Sequence, residues 1–178
     1  TRRLAARGVA VFRYQFPYME AGKRRPDPPA VAARTVSNAV AEARRRIPDL
    51  PLFAGGKSFG GRMTSTAAAR GELDAEVRGL VFFGWPLHSP AKPGMERAAH
   101  LDDVSRPMLF LQGTRDRLAR LDLLEPVLES LGPRATLHLV EGADHGFHVL
   151  KRSGRSDDEV LDELAERAAE WMEAVRAR

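Results

Sequence analysis

Five short apolar runs, separated by longer stretches rich in Ala, Leu, Glu and Arg, limit what this chain can fold into more than any other feature. They are Val9-Ala10-Val11-Phe12, Leu52-Phe53-Ala54, Leu80-Val81-Phe82-Phe83, Met108-Leu109-Phe110-Leu111 and Leu137-His138-Leu139-Val140. Each is nearly continuous, the pattern of a strand buried on both faces rather than the alternation of a half-exposed one. Between them, Pro29 to Arg46 places Ala32, Val36, Ala39, Val40 and Ala43 at helical spacing, and Leu121 to Leu131 and Asp157 to Val175 behave alike. Strands alternating with helices predict an α/β fold, a mostly parallel sheet of about five strands flanked by helices. At 178 residues and 43% hydrophobic, residues 1–178 suit a single domain, one long enough to bury about 70% of its unfolded surface.

Two connections cannot be helical throughout. Tyr14 to Pro28 carries Pro17, Gly22, Pro26 and Pro28, and Gly84 to Gly94 follows the third run. In an open α/β sheet ligands bind beyond the carboxyl ends of the strands, so chemical groups are expected directly after the apolar runs.

Three such positions carry catalytic residue types. After Leu52-Phe53-Ala54 comes Gly55-Gly56-Lys57-Ser58-Phe59-Gly60-Gly61, a G-x-S-x-G turn leading into the helical Arg62 to Ala69. Such a turn strains the Ser backbone and exposes its hydroxyl at a helix N-terminus, with flanking glycines where side chains would collide. There the backbone N–H of Phe59 can donate to the oxyanion of an acyl-transfer intermediate, aided by the helix dipole. Read structurally, the same segment is only a Gly-rich connection with a helix-capping Ser. Gly56-Lys57-Ser58 also imitates the end of a phosphate-binding loop, but the first Gly of that pattern would fall at Pro51, and the residues between are strand.

A Ser hydroxyl needs a general base that is itself oriented by a third group. Met108 to Leu111 runs into Gln112-Gly113-Thr114-Arg115-Asp116, and Leu137 to Val140 runs into Glu141-Gly142-Ala143-Asp144-His145-Gly146-Phe147. Asp116 and His145 are therefore the candidate acid and base. Taken singly, Asp116 reads better as a turn-forming residue, and the structural reading of His145 is a surface loop His. His148 competes with His145, which lies closer to its strand and has Gly146 beside it. His138 lies within a strand, a structural position.

Composition removes other chemistries. Cys is absent, so disulfides, thiol nucleophiles and Cys-based zinc sites are excluded, leaving five His residues for any metal. No apolar run approaches the ~18 residues of a membrane span. Thr1-Arg2-Arg3-Leu4-Ala5-Ala6-Arg7 has no apolar stretch after its basic residues, which makes the cytoplasm the expected location. Lys+Arg number 28 against 24 Asp+Glu, a net +4. The Arg residues are interleaved with Glu and Asp along helices rather than gathered with aromatics, so nucleic acid is not the expected partner.

Jointly these segments resemble the α/β-hydrolase superfamily, specifically its small dienelactone-hydrolase-like members and the testis-expressed and chromatin-complex hydrolase-like branch. The chain order Ser, Asp, His at three strand ends is that of α/β hydrolases. The resemblance covers nearly the whole chain and includes Gly55 to Met63, Phe16-Pro17-Tyr18-Met19 with Arg24-Arg25-Pro26-Asp27, Gly84-Trp85-Pro86-Leu87-His88 with Lys92-Pro93-Gly94, Leu111 to Asp116 and Gly142 to His145. It implies Ser58 as nucleophile, His145 as base, Asp116 as orienting acid and Phe59 as an oxyanion donor. It further implies that the two long loops line the substrate pocket, with Tyr18, Trp85 and Leu87 among its walls. No metal or organic cofactor is implied, and the substrate would be a small ester, thioester or amide.

The sequence departs from that family in one respect. Its nucleophile normally follows the fifth strand, whereas one strand precedes Ser58 here, and the chain opens on what resembles the helix before the fourth. The fold is therefore expected to be N-terminally incomplete, a reading that Thr1 in place of Met supports. The H-G loop that supplies the second oxyanion N–H is also missing, and removing one such donor typically costs about 100- to 1000-fold in turnover. Either Val9 to Phe12 pairs directly with Leu52 to Ala54, or another segment fills the gap, and an unpaired edge would favour a homodimer. These departures leave one alternative from another class, a non-catalytic binding or scaffold protein that retains the fold.

Overall fold

The computed structural model describes residues 1–177. Along the chain come α1 (Arg2–Ala5), α2 (Pro17–Glu20), α3 (Pro29–Arg46), β1 (Leu52–Lys57), α4 (Phe59–Ala69) and β2 (Val77–Phe83). A 3-10 turn at Glu96–Asp103 leads to β3 (Met108–Gly113), α5 (Leu121–Ser130), β4 (Ala135–Val140) and α6 (Asp157–Arg176). The sheet is parallel with strand order β1-β2-β3-β4, so all four carboxyl ends emerge on one side.

The continuous apolar runs are explained by burial on both faces. Leu80 and Phe82 of β2, with Met108 and Phe110 of β3, point into a core beneath α3, α4 and α5. Val81, Leu109 and Leu111 point the other way, into a second core covered by Val160, Leu164 and Ala168 of α6. Successive strand residues face opposite sides, so both cores require every residue of these runs to be apolar. Phe82 and Phe110 meet at 4.9 Å between ring centroids. α6 opens on a capping box in which Ser156 and Glu159 satisfy each other's backbone N–H groups. Arg3 of α1 reaches across to Asp158 of α6 at 2.6 Å.

Where about five strands were expected, the described residues form four. Val9 to Phe12 belongs to no strand, and among the described residues β1 pairs only with β2. Strand structure needs a backbone partner as well as an apolar pattern, and without one this segment lies open, Val11 at 37% and Phe12 at 40% exposure. The Phe12 ring is covered instead by the Arg46 guanidinium, 5.4 Å from its centroid. The remaining strands outrun their apolar runs. β2 begins at Val77 because Gly79 pairs with Phe53, and β1 continues to Lys57 along Phe83.

A polar circuit threads the first core. The buried Ser65 hydroxyl donates to the Arg62 carbonyl at 2.9 Å and accepts from Trp85 Nε1–H at 3.3 Å. Its proton is thereby committed, so His100 Nε2, 2.8 Å away, must carry a hydrogen and donate to it. Burial, then the nearby Arg62 charge, holds the His100 pKa below its ordinary value of 6.5. The unfolded chain therefore takes up this proton at higher pH than the folded one, and the resulting stability is complete above about 6.5 and falls as pH drops below it. Thermal melts are expected to show a decline between pH 7.5 and 5 that is smaller in His100→Gln; an identical decline in both proteins contradicts the assignment.

Candidate active site

The strand-to-helix turn at Ser58 is built by close approach of backbone to backbone. An added Cβ at Gly56 would stand 2.7 Å from the Gly60 carbonyl carbon, and one at Gly61 would stand 2.8 Å from the Gly56 oxygen. Only glycine at both positions lets the end of β1 cross the first turn of α4 this tightly. Ser58 adopts φ 52° and ψ −119°, a sparsely populated conformation of the kind stored at functional sites. Its own N–H donates to the Phe83 carbonyl at 3.1 Å, and its carbonyl accepts the first helical bond, from Arg62. The hydroxyl thus stands at the N-terminus of α4, where the N–H groups of the first turn, Phe59 first among them, have no intrahelical acceptor.

Asp116 lies on the loop after β3 and His145 on the loop after β4. The structure brings both to Ser58. His145 Nε2 is 2.8 Å from Ser58 Oγ, and His145 Nδ1 is 2.6 Å from Asp116 Oδ2. The Asp116 side chain has no exposed surface, whereas the imidazole keeps about a quarter of its own. A buried carboxylate on Nδ1 fixes the tautomer in which Nε2 is free to accept the serine proton.

The His145 loop is a short self-closed structure. Asp144 Oδ1 accepts from Gly146 N–H at 2.7 Å and from His148 N–H at 3.0 Å, and Asp144 N–H donates to the His148 carbonyl. This closure holds the buried Phe147 at φ 67°. His148 itself does not reach the serine. Its Nδ1 meets Asp157 at the start of α6, 2.7 Å away, and its side chain is 72% exposed. The hydrogen bond that its ring donates to the Asp157 carboxylate raises the His148 pKa above the ordinary value. His138 within β4 likewise pairs away from the site, with Glu163 at 2.6 Å.

The wall residues separate into two groups. Tyr18 sits on α2, its N–H held by Asp27, and its ring stands perpendicular to Phe59 at 6.1 Å. Phe16 completes this aromatic group at 5.3 Å from Phe59. Trp85 and Leu87, expected as pocket walls, are instead fully buried in the first core. The loop after β2 turns inward at Trp85 because indole N–H finds Ser65 there and the ring packs against Phe110. Two surface recesses, of about 320 and 480 Å³, share no residue with Ser58, Asp116 or His145.

Lys57 is the last residue of β1 rather than part of a loop, and its ammonium reaches the Gly146 carbonyl at 3.4 Å. The backbone around Gly55-Gly56-Lys57 is therefore committed to the strand ladder and does not form a phosphate-cradling loop. Among the described residues no group of three His, Asp or Glu side chains is arranged to hold a metal ion, and no helix is long and apolar enough to cross a membrane.

Two residues that shape the candidate site were not singled out in the sequence as site residues. Gln112 sits between Asp116 and the Trp85 backbone, and Asp144 closes the His145 loop. For Asp144 a local signal existed, since Asp two residues before Gly is a common loop-closing pattern. For Gln112 there was none.

Solved structures share this architecture. A putative α/β hydrolase from Agrobacterium tumefaciens superposes with a TM-score of 0.68 at 19% identity, over 97% of this chain and 72% of its own. An α/β serine hydrolase homologue from Coxiella burnetii gives 0.63 at 20% identity, over 82% of this chain. This chain spans 62% of that protein's length. A thermophilic esterase from Thermogutta terrifontis, in a propionate-bound structure, gives 0.64 at 21% identity over 86% of this chain and 68% of its own. At these identities the likeness is one of fold. Beyond fold, a family model described as an alpha/beta hydrolase domain matches residues 1–173, nearly the whole chain, and the chain belongs to the α/β-hydrolase family.

Proposed function

We propose that this protein is a serine hydrolase that cleaves a small ester, thioester or amide through an acyl-enzyme. The observation that carries this reading is the unbroken chain of hydrogen bonds from Asp116 through His145 to Ser58, 2.6 and 2.8 Å long. Ser58 Oγ attacks the substrate carbonyl while His145 Nε2 takes its proton. Asp116 stays ionised, fixes the imidazole and stabilises the imidazolium that forms. The developing oxyanion accepts from Phe59 N–H at the positive end of α4. His145 then returns the proton to the leaving group, activates a water for attack on the acyl-enzyme, and the acid product departs with Ser58 restored.

Phe59 follows the nucleophile in the chain, and the Tyr18 ring packed on it adds apolar surface there, which supports an apolar acyl or alcohol portion. The propionate-bound Thermogutta esterase is consistent with a short acyl chain here. Hydrolysis of p-nitrophenyl esters from acetate to octanoate tests the reading: wild type cleaves the short members, and Ser58→Ala does not. Equal rates in both proteins contradict it.

A further inference from the structure

The acid of the proposed triad shares one carboxylate oxygen with a second donor. Gln112, the penultimate residue of β3 before the Asp116 loop, is fully buried. Its Nε2 donates to Asp116 Oδ2 at 2.5 Å, and its Oε1 accepts from Trp85 N–H at 3.0 Å. A backbone N–H can only donate, so the amide cannot be turned round, and Nε2 must face the carboxylate. Asp116 Oδ2 thus receives both Gln112 and His145, while Oδ1 accepts from Leu118 N–H at 2.7 Å.

The ring of contacts closes through His88. The Leu118 carbonyl accepts from His88 N–H at 2.9 Å, and His88 Nε2 accepts from Arg120 N–H at 3.1 Å. Gln112 and His88, both buried, therefore join the loop after β2 to the loop that carries the acid.

We propose that Gln112 is a positioning residue of the hydrolytic centre, whose amide holds Asp116 against His145 and, by sharing Oδ2, limits how tightly that carboxylate retains the imidazolium. This rests on the triad reading above. A carboxylate whose charge is spread over three donors binds a proton or a cation less strongly than one with two. Gln112 thereby divides Oδ2 between two donors, so that the carboxylate orients the imidazole without holding it as tightly as an unshared oxygen would.

Two substitutions separate this role from simple space filling. Gln112→Met keeps the approximate volume and removes both the donor to Asp116 and the acceptor for Trp85 N–H. Gln112→Glu keeps an acceptor for Trp85 N–H but sets two carboxylates against each other, so that the pair must hold one proton to restore the native contact. The readout is the rate of fluorophosphonate labelling at Ser58 between pH 5 and 9, which requires no identified substrate.

In wild type the rate is expected to rise with pH along one limb to a plateau. In Gln112→Met that limb moves to higher pH by about half to one unit, with a plateau roughly tenfold lower. In Gln112→Glu labelling is close to wild type on the acid side, then falls progressively below it as the shared proton leaves. Variants that melt at lower temperature but whose labelling profiles superimpose on wild type overturn the proposal. If Gln112→Met does not fold, the near-isosteric Gln112→Glu decides alone. Wild type that is folded but unlabelled at Ser58 overturns the triad reading itself, a failure distinct from labelled proteins with unshifted profiles.

Discussion

Ser58→Ala and His145→Ala are each expected to lower turnover of an activated ester by roughly 10⁴- to 10⁶-fold, and the double variant to be no slower than either alone. The reason is that Oγ and Nε2 act in one proton transfer across a 2.8 Å hydrogen bond. Removing either partner abolishes that step, so removing the second costs nothing more. What survives comes from Phe59 N–H and the α4 terminus, which need neither side chain. Asp116→Asn should fall in the same direction, by about 10⁴-fold, because an amide facing Nδ1 can donate to it and hold the wrong tautomer. The measurement is kcat/KM for p-nitrophenyl acetate on variants with wild-type circular dichroism. Additive losses in the double variant would mean that the two side chains act independently.

The second large effect is on stability. Trp85→Ala should cost about 3–5 kcal/mol, because the whole indole is buried and alanine leaves a cavity in its place. In a domain of this length each kcal/mol lowers the midpoint by roughly 2–4 °C, so a fall of the order of 10 °C is expected. Trp85→Phe fills most of the volume but strands Ser65 without its indole donor, a smaller loss of about 1 kcal/mol. Neither substitution should alter the preference among ester chain lengths in protein that remains folded, since the ring lies behind the site rather than on its wall. A changed preference in Trp85→Phe would return Trp85 to the substrate pocket.

The burial of Trp85 shows what kind of information a sequence carries. An aromatic residue in a loop beyond a strand can face substrate or core with the same neighbours in sequence. Here the choice was made by Ser65 and Phe110, which are distant in the chain. Val9 to Phe12 was misread for a related reason: its pattern matches that of β3, but a ladder bond depends on a neighbouring strand that no local pattern specifies. The strands β2 and β3 were legible because burial on both faces writes itself into consecutive residues.

Ser58, Asp116 and His145 were legible because a parallel sheet places the residues after its strands on one side, so order along the chain becomes proximity in space. The choice of His145 over His148 follows from Asp157, which draws His148 away. Gln112 had no such signature. Within Leu111-Gln112-Gly113 it reads as a strand residue, and only folding sets its amide between Trp85 and Asp116.

The most direct test is covalent labelling of the purified protein with a fluorophosphonate, which reacts with activated serine hydroxyls, followed by peptide mass spectrometry. The account predicts a single modified residue, Ser58, in wild type, and none in Ser58→Ala or His145→Ala. Folded wild-type protein with no label, or with label that persists in Ser58→Ala, would contradict it.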